Sequence, residues 1–96
     1  MKRDDFKTSV TNQSPSEELP KPLTALWWQK KGYWDKAHTI VQSDKTEDGA
    51  WVHALLHREE GDLGNASYWY LRANKIMPKE TIESEWELIV SELLNR

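Results

Sequence analysis

Two glycines that lie 29 residues apart divide most of this chain into helix–turn–helix units. A shift of 29 residues places Gly32 on Gly61, and it superimposes three further pairs of small or apolar residues: Ala25 on Ala54, Leu26 on Leu55 and Ala37 on Ala66. Small alanines let two helices approach closely, and a glycine closes the turn between them. No segment alternates apolar and polar residues with a period of two, so the sequence predicts helices and no strands.

Five helices are predicted from residues that start or stop a helix. Pro22 suits a first helical position, Gly32 and Gly61 suit turns, Thr46 suits an N-cap, and Pro78 ends a helix. The predicted helices cover roughly residues 22–31, 34–42, 47–60, 64–76 and 79–95.

Helical spacing also assigns a buried face to the last two of these helices. The buried face of the fourth is predicted to consist of Ala66, Trp69, Tyr70, Ala73 and Ile76. In the last helix, Trp86 and Ile89 are predicted to pack inward, whereas Glu85 and Glu87 are predicted to face water.

The first 21 residues differ in composition from the rest. They are polar and charged, with Phe6 and Val10 as the main apolar side chains. Such a segment buries too little apolar surface to offset the entropy lost on ordering, so we expect a flexible N-terminal arm over residues 1–21 and a helical domain over 22–96. All six tryptophans lie in the predicted domain. Indole packing is expected to stabilise it where other small domains use disulfides or zinc.

Composition excludes several classes of protein. The chain has no cysteine, so it forms neither disulfides nor thiolate zinc sites. Its net charge is −3 and it has no basic stripe, which argues against nucleic-acid binding. No apolar run is long enough to span a membrane, and no apolar segment follows Lys2-Arg3 as it would in a signal peptide. We therefore expect a cytoplasmic protein without a cofactor.

Part of the chain resembles tetratricopeptide (TPR) repeats. The resemblance covers residues 22–78; it rests on Gly61-Asp62, Ala66, Tyr70, Ala73 and Pro78, and more weakly on Leu26, Gly32 and Ala37. The repeat of 29 residues is shorter than the family's repeat of about 34. The resemblance implies two short helix–turn–helix units, a C-terminal capping helix and a protein partner. Because two units form an incomplete stack, the open end is suited to self-association, as in a homodimer.

A second resemblance rests on the segment from Trp51 to Tyr70. Its residues Trp51-Val52-His53-Ala54, Leu56-His57-Arg58, Glu60-Gly61-Asp62, Asn65-Ala66 and Tyr68-Trp69-Tyr70 look like a family of small bacterial proteins with no assigned function. This resemblance implies a bacterial source and no mechanism.

Two histidines one helical turn apart are the main candidates for chemistry. His53, His57 and Glu60 share a narrow stripe of the third predicted helix, a spacing that can hold a metal ion with two imidazoles. His38 on the preceding helix can complete the site if the helices cross suitably. The alternative is that each histidine forms a hydrogen bond to a nearby carboxylate or carbonyl at the margin of the core. Nothing in the chain supplies a nucleophile elbow or a phosphate-binding loop, so no catalysis is expected.

Four aromatic or cationic side chains are candidates for partner binding. Trp27 and Trp28 are adjacent on a helix and project about 100° apart, so one of them is expected at an edge or interface. Tyr68 and Arg72 lie together on a different side of the fourth helix from its predicted buried face. The alternatives are that the guanidinium stacks on the tyrosine for packing alone, and that the N-terminal arm folds back over the exposed indole. The best interpretation is a protein–protein interaction or assembly module. The alternative is a small-ligand or metal-binding protein that uses the histidine stripe.

Overall fold

The computed structural model describes all 96 residues and contains six α-helices. They are α1 (Arg3–Ser9), α2 (Lys21–Lys31), α3 (Trp34–Gln42), α4 (Glu47–Glu59), α5 (Leu63–Arg72) and α6 (Ile82–Leu94). No residue lies in a β-strand, so the predicted all-α class is confirmed. The five predicted helices correspond to α2–α6, and α1 is additional. None of the six combines the length and the apolar character that crossing a membrane requires.

Three of the helices begin after a residue whose side chain caps the helix N-terminus. The side chains of Thr46, Asp62 and Thr81 accept hydrogen bonds from the backbone N–H three residues later, at 3.0, 3.2 and 3.0 Å. Each bond satisfies an N–H group that has no partner within its helix. The caps therefore set where α4, α5 and α6 begin.

Two glycines reverse the chain after α2 and α4. Gly32 and Gly61 have φ angles of 102° and 85°, in the left-handed region that favours glycine. No other atom lies close to where a Cβ would be at either position, so backbone conformation rather than space requires glycine there. After these turns α3 packs on α2 and α5 packs on α4, which gives the two helix pairs expected from the sequence.

Helix α4 lies at the centre of the protein. It contacts α2, α3, α5 and α6. Nine consecutive residues, from Gly49 to His57, are buried, which is far more than the single buried stripe of a surface helix. The two histidines in this stretch, His53 and His57, are therefore held inside the protein.

The N-terminal segment, predicted to be a flexible arm, packs in part on the helical domain. Phe6 of α1 is completely buried, and its ring lies 5.8 Å from that of Trp86. The Trp27 indole donates a hydrogen bond to the Ser9 hydroxyl at 3.1 Å, and Lys31 donates one to the Val10 carbonyl at 2.9 Å. Composition alone did not predict this packing, because the packing depends on one phenylalanine whose ring contacts a tryptophan far along the chain.

The fourth predicted helix ends earlier than expected. Helix α5 stops at Arg72, and Asn74 adopts a left-handed conformation with φ of 58°. Asparagine is one of the few residues besides glycine that tolerate this conformation, which ends the helix. Ile76 is therefore 93% exposed, and its predicted place on the buried face is wrong. Ala66, Tyr70 and Ala73 are buried as predicted, and Trp69 is half-buried.

The last helix buries one of its predicted outer residues. Trp86 and Ile89 pack inward as predicted, but Glu85 is only 3% exposed rather than facing water. Its carboxylate accepts hydrogen bonds from Arg58 and from the Tyr70 hydroxyl, both at 2.7 Å. These partners from α4 and α5 satisfy the buried charge and attach α6 to the second helix pair.

Replacing Phe6 with alanine tests the packing of α1. We expect the free energy of unfolding to fall by about 3 kcal/mol, the usual loss for a buried phenylalanine. Urea denaturation followed by circular dichroism measures it. Thr8→Ala, at an exposed position of the same helix, is the control and should change stability by less than about 0.5 kcal/mol. Equal stability of the two variants would show that α1 does not pack on the domain.

Candidate functional site

Three histidines from two helices meet between α3 and α4. His38 comes from α3, while His53 and His57 come from successive turns of α4. One ring nitrogen from each histidine lies within 4.8 Å of the others. The sequence placed His53 and His57 on one stripe and left the position of His38 open, and the packing of α3 on α4 brings the third imidazole to the other two.

The spacing of two of the imidazoles is close to that around a tetrahedral metal ion. Zinc–nitrogen bonds of 2.0–2.1 Å place two nitrogen ligands roughly 3.3 Å apart. His38 Nε2 and His53 Nε2 are 3.1 Å apart, a distance at which the two uncharged rings also form a hydrogen bond. Small side-chain rotations that bring in a nitrogen of His57 would give three nitrogen ligands to one ion.

The carboxylate of Glu60 orients the ring of His57 through its Nδ1 atom. Its Oε1 lies 2.6 Å from His57 Nδ1. When Nδ1 donates its proton to this carboxylate, the lone pair of Nε2 is free for a ligand. Metal-binding histidines commonly have such a carboxylate partner. Glu60, predicted as a possible ligand, is therefore placed to position a ligand.

A second group of possible ligands overlaps the first. His57, Glu60 and Asp62 also bring potential ligand atoms within 4.8 Å of one another. Here only the histidine is buried, and Asp62 is already occupied as the N-cap of α5. The three-histidine cluster is the better candidate because its ligands are held by packing on two helices.

Two indoles hold the rings of this cluster. Trp34 stacks on His38 at a centroid distance of 4.9 Å, and Trp69 stacks on His53 at 3.9 Å. The Trp34 indole is itself fixed by a hydrogen bond of 2.8 Å to the carbonyl of Leu56. Sequence reasoning placed neither tryptophan at the site. The spacing of Trp34 four residues before His38 was an available signal for the first, but no local signal connects Trp69 with His53.

Burial keeps two of the histidines in the form that binds metals. Burial, and then the neighbouring His38 and His57, lowers the pKa of His53 to about 4. The pKa of His38 is also lowered, first by burial and then by His57. Both imidazoles are therefore uncharged at neutral pH, as ligation requires. His53 Nδ1 is buried without a hydrogen-bond partner, so packing on Trp69 orients this ring.

The cluster is closed to large molecules. The surface has four cavities, and none is lined by any of the three histidines. Of the three, only His38 is partly exposed; His53 and His57 are buried. His38 is therefore the ring of the cluster that is most accessible from solvent.

The four candidate residues for partner binding do not lie on one surface. Trp27 is completely buried, so its assignment as a partner-binding residue is wrong; the register of α2 turns this indole into the core. Trp28 is half-buried, and the ammonium group of Lys36 lies 3.9 Å from its ring centroid. Tyr68 and Arg72 are exposed, and the guanidinium donates a hydrogen bond of 3.2 Å to the tyrosine hydroxyl.

No model of a known protein family matches this sequence, and no curated protein or solved structure is similar to it. The resemblance to TPR repeats and the resemblance to small bacterial proteins therefore stay predictions.

The lowered pKa of His53 predicts a loss of stability in mild acid. Below pH 6.5 the unfolded chain takes up a proton at His53, whereas the folded chain does so only near pH 4, so acid favours unfolding. We expect the free energy of unfolding to be about 2 kcal/mol lower at pH 5 than at pH 7.5. Urea denaturation at both pH values, with a chelator present, measures it.

His53→Phe is the matched control, because phenylalanine keeps the stacking on Trp69 but cannot titrate. It should lose clearly less stability than the parent protein between the two pH values. An equal loss in both proteins would place the acid sensitivity elsewhere.

Proposed function

We propose that this protein binds one divalent transition-metal ion through His38, His53 and His57. The observation that carries the proposal is the convergence of three imidazoles from α3 and α4, with ring nitrogens within 4.8 Å of one another. Neither helix alone brings together more than two of them.

The ligand type indicates which ions the site selects. Imidazole nitrogen favours zinc, copper and nickel, whereas magnesium, calcium and manganese prefer carboxylate and carbonyl oxygen. The cluster offers three nitrogens and no thiolate, which supports zinc or copper. Three protein ligands leave one position for water or a small anion, and no catalytic step is part of the proposal.

Metal binding is expected to strengthen the attachment of α3 to α4. His38 is the only ligand from the first helix pair, so the bound ion bridges the two pairs. An ion that binds only the folded protein stabilises it by about 2.7 kcal/mol when its free concentration is 100 times its dissociation constant. Occupancy can therefore be followed through stability.

Zinc titration with histidine variants tests the site. Isothermal titration calorimetry should show one zinc ion per chain, and a thermal shift should accompany binding. His38→Gln and His53→Gln should each weaken binding at least a hundredfold, because each removes a ligand. Glu60→Gln should weaken it roughly ten- to a hundredfold, because it removes only the partner that orients His57.

Asp62→Asn is the matched control, because asparagine caps α5 as well as aspartate does. It should leave zinc affinity unchanged. If Asp62→Asn abolished binding and His38→Gln did not, the ion would belong to the second group around Glu60. If no variant changed binding, the histidines would hold no ion.

We also propose that Tyr68 and Arg72 form a contact with a partner protein or with a second copy of this chain. The observation that favours this function is that Arg72 is the only arginine without a carboxylate partner within 4.0 Å. Its guanidinium instead lies over the rings of Tyr68 and Trp69, at 5.8 and 5.5 Å. Exposed arginine and tyrosine are typical interface anchors, and the resemblance to TPR repeats implies the same class of function.

Paired variants test this contact. Tyr68→Ala combined with Arg72→Ala should abolish dimers seen by native mass spectrometry, or remove the proteins retained in pull-downs from host lysate. Tyr33→Ala is the control, since Tyr33 is 53% exposed and Tyr68 is 52% exposed. A protein that stays monomeric and retains nothing reproducibly would refute the proposal.

A further inference from the structure

A groove lies between α6 and the segment that joins α5 to α6. Its volume is about 330 Å³, and its apolar lining comes from Trp51, Ile76, Pro78 and Leu88. Ile76 is 93% exposed and Leu88 is 58% exposed, whereas Trp51 is buried at the base. Large apolar side chains on both sides of one concavity are the usual mark of a binding surface rather than of scattered exposure.

The local backbone explains why Ile76 faces solvent. Asn74 ends α5 in a left-handed conformation, and α6 starts only at Ile82, so the chain between them follows neither helix. The backbone N–H groups of Ile76 and Met77 donate no hydrogen bond within the chain. This segment therefore offers unpaired peptide groups beside the apolar lining, which suits a second extended chain.

The charges around the groove select the kind of chain that fits. Its lining contains three carboxylates, of Glu80, Glu85 and Glu92, and one ammonium group, of Lys75. Lys75 is already engaged, with Glu92 at 3.6 Å and with the ring of Trp51 at 4.3 Å.

The carboxylates differ in how far they are neutralised. Arg58 and Tyr70 satisfy the carboxylate of Glu85. Glu92 is paired with Lys75 and with Arg96, at 3.6 and 3.2 Å. The carboxylate of Glu80 has no cationic partner within 4.0 Å, and its backbone carbonyl accepts a hydrogen bond from Arg58. The groove thus combines an apolar lining with one carboxylate, that of Glu80, which is free to pair with a cation.

We propose that this groove binds an extended segment of a partner protein in which a large apolar side chain stands beside a lysine or arginine. The apolar side chain enters between Ile76 and Leu88, the cation pairs with Glu80, and the peptide backbone meets the free amides of residues 76 and 77. Neither Tyr68 nor Arg72 lines the groove, so it is separate from the contact proposed on α5.

Fluorescence polarisation with a defined probe tests the proposal. The probe is a short fluorescein-labelled peptide with one leucine flanked by two lysines, and its counterpart has glutamates in place of the lysines. The lysine peptide should bind at least tenfold more tightly than the glutamate peptide. Ile76→Asp and Leu88→Asp should each weaken its binding at least tenfold, and Glu80→Gln should weaken it severalfold.

Leu71→Asp is the matched control, because Leu71 is 77% exposed but does not line the groove. It should leave peptide affinity unchanged, and all four variants should keep the helical circular dichroism of the parent. Equal binding of both peptides, or an equal loss in Leu71→Asp, would overturn the proposal by showing non-specific adhesion. A dimer that Leu88→Asp dissociates would overturn it as well, because a second copy would then occupy the groove.

Discussion

The structure depends on the burial of the nine central residues of α4. Four other helices surround it, and its buried stretch runs without interruption from Gly49 to His57. A helical stretch with no exposed face fixes the position of every helix packed on it, because each neighbour must match a different part of its surface. The histidine cluster follows from this constraint. His53 and His57 are held in the interior, where their rings have few alternative orientations.

The tryptophan indoles connect helices through hydrogen bonds and also fill the core. Trp27 donates to Ser9 of α1, Trp34 donates to the Leu56 carbonyl of α4, and Trp86 donates to the Leu26 carbonyl of α2. Each large ring buries much apolar area while its single N–H finds an acceptor on another helix. In a chain without cysteine, these cross-connections give a small core the specificity that disulfides give elsewhere.

Two buried polar side chains, Glu85 and His53, differ in whether their polar atoms have hydrogen-bond partners. Glu85 has its charge satisfied by Arg58 and Tyr70, so it attaches α6 to the rest of the protein. His53 has one ring nitrogen with no partner and the other only 3.1 Å from a second imidazole. Unsatisfied polar atoms are rare in protein interiors, and they concentrate at functional sites. This contrast is why the histidines, rather than the glutamate, support a proposed function.

The sequence by itself determined the helical class, the residue range of α3, the N-cap at Thr46, and the shared stripe of His53 and His57. All of these depend on spacing within one turn or one helix, where short-range rules apply. Only the tertiary structure decided that His38 reaches the other two histidines, that Phe6 and Glu85 are buried, and that Ile76 is exposed. The first three outcomes depend on how helices cross, which contacts between residues distant in sequence set. The exposure of Ile76 depends on where α5 ends, and helical spacing alone did not locate that end.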